Sequence, residues 1–332
     1  MFKNREIRLK SRAAGLPSRA DFELVETMVP DPDLGQILVH NLFMSVDPYM
    51  RGRMTERKSY VPPFQIGEVL NGGAVGQVVA SNGNSRFAEG DCVSNFSGWR
   101  EWFVTNGVDC QKIDSAVAPI QAYLGAFGMP GLTAYAGLLR IAALNDGERV
   151  FVSAASGAVG AVVCQIAKNR GCTVAGSAGS DEKCEWLLRE AGIDSAINYK
   201  TCGPLDLAIR KALPDGIDVY FDNVGGTHLD AALANMRPSG RIAVCGMIAQ
   251  YNDASPPPGP ANIVAVIPLR LTIRGFIVTD HIDMTPDFLR DMSAWKKGGT
   301  MKWRETIVDG IERAPEAFIG LFKGENIGKM LV

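Results

Sequence analysis

Gly157 and Gly160 sit inside Val150-Phe-Val-Ser-Ala-Ala-Ser-Gly-Ala-Val-Gly-Ala-Val-Val-Cys-Gln-Ile-Ala-Lys168. The run reads as a buried strand, a glycine turn and an amphipathic helix in immediate succession. The strand delivers the chain to the carboxyl edge of a sheet. Glycines let backbone and helix come close, and the helix N-terminus offers free N–H groups with a partial positive charge. That combination suits the pyrophosphate of a dinucleotide, seated over Gly157, Ala158, Val159 and Gly160.

The end of the next strand selects the dinucleotide. An NAD site places Asp or Glu there, roughly 20 residues past the glycines, to bind the ribose hydroxyls. Here the position falls within Gly176-Ser-Ala-Gly-Ser180, which has no carboxylate. The absence of one removes that repulsion against a 2′-phosphate, although Asp181 and Glu182, which can serve the dipole at the next helix N-terminus, follow directly. Lys183 just beyond offers a positive charge, and Tyr199 a hydrogen-bond donor at the end of the following strand. The expected cofactor is therefore NADPH. Asn223, in Asp222-Asn-Val-Gly-Gly226, follows the apolar run from Ile217 and belongs at the same sheet edge. Cys245, Gly246 and Met247 open a segment running to Tyr251 after another strand, and are expected to line the nicotinamide side.

Other chemistries lack their residues. A catalytic zinc needs Cys and His ligands, and a structural zinc needs clustered Cys. The only histidines are His40, His228 and His281, and Met44-Ser-Val-Asp47 has no thiol. The seven Cys, at 92, 110, 164, 172, 184, 202 and 245, are scattered without a CxxC pair. No metal is expected, so polarising a carbonyl falls to hydroxyls or to the cofactor's ribose. There is no G-x-S-x-G elbow and no P-loop.

The elements that must position these residues follow two rhythms. Residues 1 to about 120 read as β-rich, with short strands at Gln36–Leu42, Gly72–Ala80, Glu89–Ser94 and Arg100–Thr105 between glycines. From about 125 strands alternate with helices. Strands are expected at 149–155, 172–178, 195–199, 217–222, 240–246 and 271–278, and helices at 158–170, 181–191, 205–213 and 226–236. That alternation predicts an α/β fold, a doubly wound parallel sheet joined to a β-rich domain. The segment Ser255-Pro-Pro-Pro-Gly-Pro260 reads as a loop, a surface connection or a cover over the site. Asn326–Val332 reads as a strand able to return to the N-terminal domain.

Lys and Arg number 34 against 36 Asp and Glu, with no long basic run. That argues against nucleic acid or a membrane surface as partner. No stretch approaches the roughly 20 apolar residues of a membrane span. Met1–Arg12 has no apolar core, so a secretory signal is not expected, and reduced thiols suit the cytoplasm.

Assembled, the chain resembles a zinc-independent medium-chain dehydrogenase/reductase. More narrowly, it is similar to the NADPH-dependent prostaglandin and leukotriene reductases, plant 2-alkenal reductases and bacterial curcumin reductases. The carriers are Met44-Ser-Val-Asp-Pro-Tyr-Met-Arg-Gly52, Ala154-Ala-Ser-Gly-Ala-Val-Gly160, Gly179-Ser-Asp-Glu-Lys183, Asn198-Tyr-Lys-Thr201, Asp222-Asn-Val-Gly-Gly226, Gln250-Tyr-Asn252 and Gly324-Glu-Asn-Ile-Gly-Lys-Met330. The resemblance implies a GroES-like domain over 1–124, a Rossmann domain over 125–300 and a return to the first domain over 301–332, with the cleft at their junction. It implies that Phe276, Ile277, Val278 and Asn326 join the cofactor site, and that the protein is a homodimer. It implies reduction of an α,β-unsaturated carbonyl at its C=C bond. Several plant and animal relatives carry a Tyr where this chain has Ile267-Pro268-Leu269, a departure in which it resembles the bacterial branch, so the hydroxyl is expected from elsewhere. Tyr49 and Tyr251 are the candidates, with Tyr60 third. Two other readings stay open here: quinone reduction in the same fold, and a protein that binds NADPH without turnover.

Overall fold

The computed structural model describes residues 1–255 and 257–332. Pro256, within the expected loop at 255–260, lies outside the described residues. The chain divides into two compact units, Met1–Leu124 with Glu305–Val332, and Gly125–Arg304.

The first unit begins with β1 (Phe2–Leu9), β2 (Phe22–Val29), β3 (Ile37–Met44), the short helix α1 (Met50–Arg53), β4 (Ala74–Ser81), β5 (Cys92–Asn95), β6 (Trp102–Thr105) and β7 (Gln111–Lys112). Strands β1 and β2 pair antiparallel, and a five-stranded antiparallel sheet runs β6-β3-β4-β5-β7. Each of the four strands expected before residue 106 is present. Strand β3 lies inside that sheet, and Ile37, Leu38 and Val39 are all buried, which explains its unbroken apolar run.

The second unit follows with α2 (Met129–Ala136), β8 (Arg149–Val152), α3 (Gly160–Asn169), β9 (Thr173–Ala178), α4 (Asp181–Arg189), β10 (Ser195–Asn198), α5 (Leu205–Ala212), β11 (Ile217–Asp222), α6 (Gly226–Leu233), β12 (Met236–Val244), α7 (Val266–Leu269), β13 (Thr272–Gly275) and α8 (Thr285–Lys297). Its parallel sheet has the order β10-β9-β8-β11-β12-β13. Counted from β8, that is 3-2-1-4-5-6, the Rossmann order, with its switch point between β8 and β11. Val150, Phe151 and Val152 are wholly buried at the centre.

Boundaries differ from the sequence expectation where the backbone turns sharply. Strand β8 stops at Val152, not 155, because Ala154 adopts a φ of +47°. The turn then occupies residues up to Val159, so α3 starts at Gly160. Strand β12 starts four residues earlier than expected and absorbs a left-handed residue, Ser239 (φ +63°). Strand β13 is short and exposed along all its residues. In the segment that precedes it, Val264 and Ile267 are exposed, Ile267 by 79%. Helix α8 was not expected from periodicity; Pro286 in its first turn is the local signal for it.

The tail supplies β14 (Glu305–Ile307), α9 (Ala314–Lys323) and β15 (Lys329–Leu331) to the first unit. Strand β15 pairs parallel with β14, and Leu331 bridges Ser45. Met44 and Val332 exchange backbone hydrogen bonds of 2.8 and 2.9 Å. Phe318 and Met330 from the tail share one core with Ile7, Leu9, Met50 and Trp99. Lys329 is 4% exposed in its side chain and donates to Val46 O and Asp47 Oδ1, both at 2.9 Å. The second Asp47 oxygen accepts from Ser45 Oγ. The ion pair thus fastens the tail to the loop that carries Tyr49.

Removing Lys329 alone leaves Asp47 partly buried without its cation. Lys329→Met is expected to cost about 2–3 kcal/mol, the buried-pair value discounted for the exposed edge of Asp47. Lys329→Met with Asp47→Asn should recover much of that loss. Urea unfolding of the single and double variants measures both, and an unchanged midpoint for Lys329→Met refutes the anchoring role.

Candidate active site

The glycine turn is built by close approach. A Cβ on Gly160 would lie 2.4 Å from Ala154 O and 2.8 Å from Ala155 Cα, so only glycine fits where α3 meets β8. A Cβ on Gly157 would stand 3.2 Å from Ala154 O, and Gly157 N–H itself donates to that oxygen at 3.0 Å. Among the described residues, the N–H groups of Ala158, Val159 and Gly160 have no protein acceptor. They converge on the N-terminus of α3 as an anion-binding cradle. The fit to a dinucleotide pyrophosphate therefore rests on geometry as well as pattern.

The neighbouring strand ends gather cations. Ser180 caps α4, its Oγ accepting from Lys183 N–H at 3.3 Å. That places the Lys183 side chain in the first turn, half-buried. Burial lowers its ammonium pKa, and the charge of Lys200 lowers it further. Two lysines thus converge where an NAD site would carry an acid. A Cβ on Gly179 would lie 3.0 Å from Tyr199 Oη and 3.4 Å from Lys200 Cε, so glycine keeps the space open beside both. Lys200 escaped the sequence reading; its signal was its place next to Tyr199 in the Asn198–Thr201 motif. Asp181 accepts from Asn198 Nδ2 at 2.7 Å, and Glu182 is the carboxylate whose charge acts on Lys183. Tyr199 meets His228 edge-on at 5.0 Å. His228 is buried and its pKa is lowered by that burial, so it stays neutral and props the Tyr199 ring.

Asp222 organises the far side of the switch point. It is fully buried, and its Oδ1 accepts from Tyr220 Oη (2.6 Å), Ser153 Oγ (3.2 Å), Val224 N (2.9 Å) and Gly225 N (2.9 Å). Asn223 donates from Nδ2 to Ser153 O at 2.8 Å, which brings it beside the glycine turn. Cys245 N and Gly246 N donate to Asp222 O at 2.9 and 3.1 Å. Burial pushes the Cys245 thiol up to about 12, so it remains a neutral lining group. Tyr251 Oη accepts from Met247 N at 3.2 Å, closing its own loop, and burial raises its phenol pKa. Phe276 follows β13 directly and packs edge-on against Phe221 at 6.3 Å, with Ile277 and Val278 next in the chain.

Two expected residues belong to the first unit. Tyr49 is the N-cap residue of α1 and packs against the core that holds Met50 and Trp99. Burial, and then the charge of Asp47, hold its phenol well above the usual range, so it is a protonated donor at neutral pH. Asn326 Nδ2 donates to Gly328 O at 2.7 Å within the tail's own turn. Tyr60 is largely exposed. Among the described residues, no group of three or more His, Cys, Asp or Glu is placed to hold a metal ion, and no helix is long and apolar enough to cross a membrane.

Comparison with known proteins places this geometry. Residues 5–113 match the family described as the N-terminal domain of oxidoreductase, and residues 158–294 match the family described as zinc-binding dehydrogenase. The chain is 43% identical to the NADP-dependent 2-alkenal reductase of Nicotiana tabacum, over 99% of this chain and 97% of the relative. It is 42% identical to the NADPH-dependent curcumin reductase of Escherichia coli, over 99% and 96%. CurA of Vibrio vulnificus, solved in complex with NADPH, superposes with a TM-score of 0.93 at 40% identity, covering 99% of this chain and 98% of that one. The chain therefore belongs to the medium-chain dehydrogenase/reductase family, in the group of NADP-dependent alkenal, curcumin and prostaglandin reductases.

Proposed function

We propose that this chain is an NADPH-dependent reductase that saturates the C=C bond of α,β-unsaturated ketones and aldehydes. The end-to-end similarity to named 2-alkenal and curcumin reductases carries the reading. The site supports it residue by residue. Gly157, Ala158, Val159 and Gly160 receive the pyrophosphate. Lys183 and Lys200 receive the 2′-phosphate, with Tyr199 as hydrogen-bond donor. Asn223, Cys245, Gly246, Met247 and Phe276–Val278 line the nicotinamide side, and Asn326 completes the site. When bound, NADPH supplies the hydride for the β-carbon. Negative charge then develops on the substrate's carbonyl oxygen, and Tyr49 donates a hydrogen bond to it. Tyr251 already accepts from Met247, which leaves its own proton as a second donor. The α-carbon takes its proton from a tyrosine or from water.

The exposed edge β13 supports a homodimer. All its residues are exposed, and the preceding segment exposes Val264 and Ile267. An open edge of a parallel sheet is satisfied by a second copy across a two-fold axis, which doubles the sheet. The buried thiols of Cys164 and Cys172, without disulfides, suit a reducing compartment, the cytoplasm.

Stopped-flow oxidation of NADPH with a panel of enals, enones and quinones tests the activity. Saturated carbonyl products are expected; exclusive hydroquinone formation, or no turnover, refutes it. Lys183→Ala should weaken NADPH binding by about 10–100-fold, the loss of one charge-assisted hydrogen bond, and NADH by less than about 2-fold; equal weakening in calorimetry removes the phosphate role. In sedimentation the protein should run at twice its 35.7 kDa chain mass. Ile267→Lys with Ile273→Lys should give the monomer, and a dimer that survives both changes excludes this edge.

A further inference from the structure

Helix α2 runs on into a turn of a different kind. Gly137 O accepts from Ala142 N, five residues on, at 2.9 Å, so Gly137–Ile141 is a π turn. Its first residue is fitted to two rings. A Cβ on Gly137 would lie 2.5 Å from Phe276 Cζ and 2.6 Å from Phe221 Cε2. Gly137 has an ordinary helical φ of −63°, so the close approach requires glycine there, not the backbone angle. Phe221 is wholly buried in β11 and meets Phe276 edge-on at 6.3 Å. The Phe276 ring is therefore confined between a fixed core residue and the bare Gly137 backbone. Arg140, from the same turn, grips the same segment farther along. Its Nη1 and Nη2 fork onto Asp283 at 2.9 and 2.8 Å, and Nη1 lies 3.3 Å from His281 Nδ1. Arginine only donates, so His281 Nδ1 accepts. The His281 ring in turn lies 6.3 Å from Phe276. Residues 276–284 include no buried residue, and His281 leaves helical angles (φ −128°, ψ 21°) within them. No core of their own holds them.

We propose that Gly137 and Arg140 are the positioning residues for the nicotinamide side of the cofactor site. Gly137 sets the depth of the Phe276 ring, and Arg140 fixes the far end of the segment, so Phe276–Val278 present one defined surface. Neither residue touches a reacting atom. The inference rests on the reading that Phe276–Val278 line the nicotinamide side. The two phosphate-bearing parts of the cofactor are held by N–H groups and cations. The reduced nicotinamide carries no charge, so its orientation depends on the surface it lies against, and hydride transfer is sensitive to small displacements. A segment without buried residues cannot keep such a surface still. The π turn supplies the rigid support from behind.

The test uses the full-length protein, NADPH and a neutral enal, with Gly137→Ala, Arg140→Gln, Arg140→Lys, Phe276→Leu and Phe221→Leu, and Gly137→Ala combined with each phenylalanine change. Gly137→Ala is expected to lower kcat by about 10–100-fold, the effect of a small misplacement of the reacting centre. The NADPH Kd should stay within about 3-fold, because the contacts to both phosphate groups are untouched. Arg140→Gln should lower kcat by about 3–10-fold, and Arg140→Lys by less, since it keeps the charge without the fork. A Phe276→Leu background should absorb most of the Gly137→Ala loss, because the Cζ that the new methyl meets is gone; a Phe221→Leu background should not. A second readout needs no turnover. The fluorescence of bound NADPH reports the surroundings of its nicotinamide, and in Gly137→Ala and Arg140→Gln it should move toward that of free NADPH. The inference is overturned if that emission is unchanged in both variants while Phe276→Leu shifts it, or if Phe221→Leu absorbs the loss instead, which would mean overpacking of the sheet. It is also overturned if the NADPH Kd worsens as much as kcat falls. If Phe276→Leu itself leaves the emission unchanged, the lining reading fails and the inference with it. Should Gly137→Ala lose its far-UV signal, Arg140→Gln, whose parent side chain is 39% exposed, carries both readouts. If the parent protein turns over no conjugated carbonyl, the enone reading fails, and the emission still decides the two positioning roles.

Discussion

The Asp222 side chain is the interaction on which the second unit depends. One fully buried oxygen gathers the end of β8 through Ser153, the strand β11 through Tyr220, and the following turn through the N–H groups of Val224 and Gly225. The Asp222 carbonyl then receives Cys245 and Gly246 from the end of β12. Three adjacent strands of a parallel sheet thus share one residue at their carboxyl ends. In a parallel sheet the ladder bonds stop where the strands stop, so the loops beyond need another acceptor. Asp222 provides it, and the loops it fixes are the ones that flank the switch point.

A different device holds the first unit. Its reacting candidate, Tyr49, sits at the start of a helix of only four residues, too short to persist by propensity. Tertiary contacts replace that missing stability. Lys329 grips Asp47 from the tail, Met50 and Met54 sink into the core, and Arg53 is clamped at the far end. The side chains around Tyr49 are charged yet buried, which concentrates electrostatic effects at that position.

Much of this was legible from residue order. Helix α4 announced itself through Ser180, Asp181 and Glu182, and the sheet of the second unit through its apolar runs. The glycine turn was legible because its requirement is steric, and sterics act over a few residues. The helices α8 and α9 were not, since their apolar faces compete with no clear cap beyond a proline in the first turn. The short strand β13 was overextended in the reading, because an apolar run does not say where pairing ends.

The sequence by itself determined the cofactor class, since the missing acid after β9 and the paired glycines are local chemical facts, and its scattered Cys and His, without a zinc-ligand spacing, are a matter of inventory. Only the tertiary structure decided the company each residue keeps. Lys200 joins Lys183 from a separate strand end, Asp181 accepts a hydrogen bond from Asn198, and Tyr251 turns back to its own loop. Lys329 meets Asp47 across 282 residues. Charges and hydrogen bonds act through space, so whether a residue is a donor, a neutralised bystander or a prop depends on neighbours that sequence order does not specify.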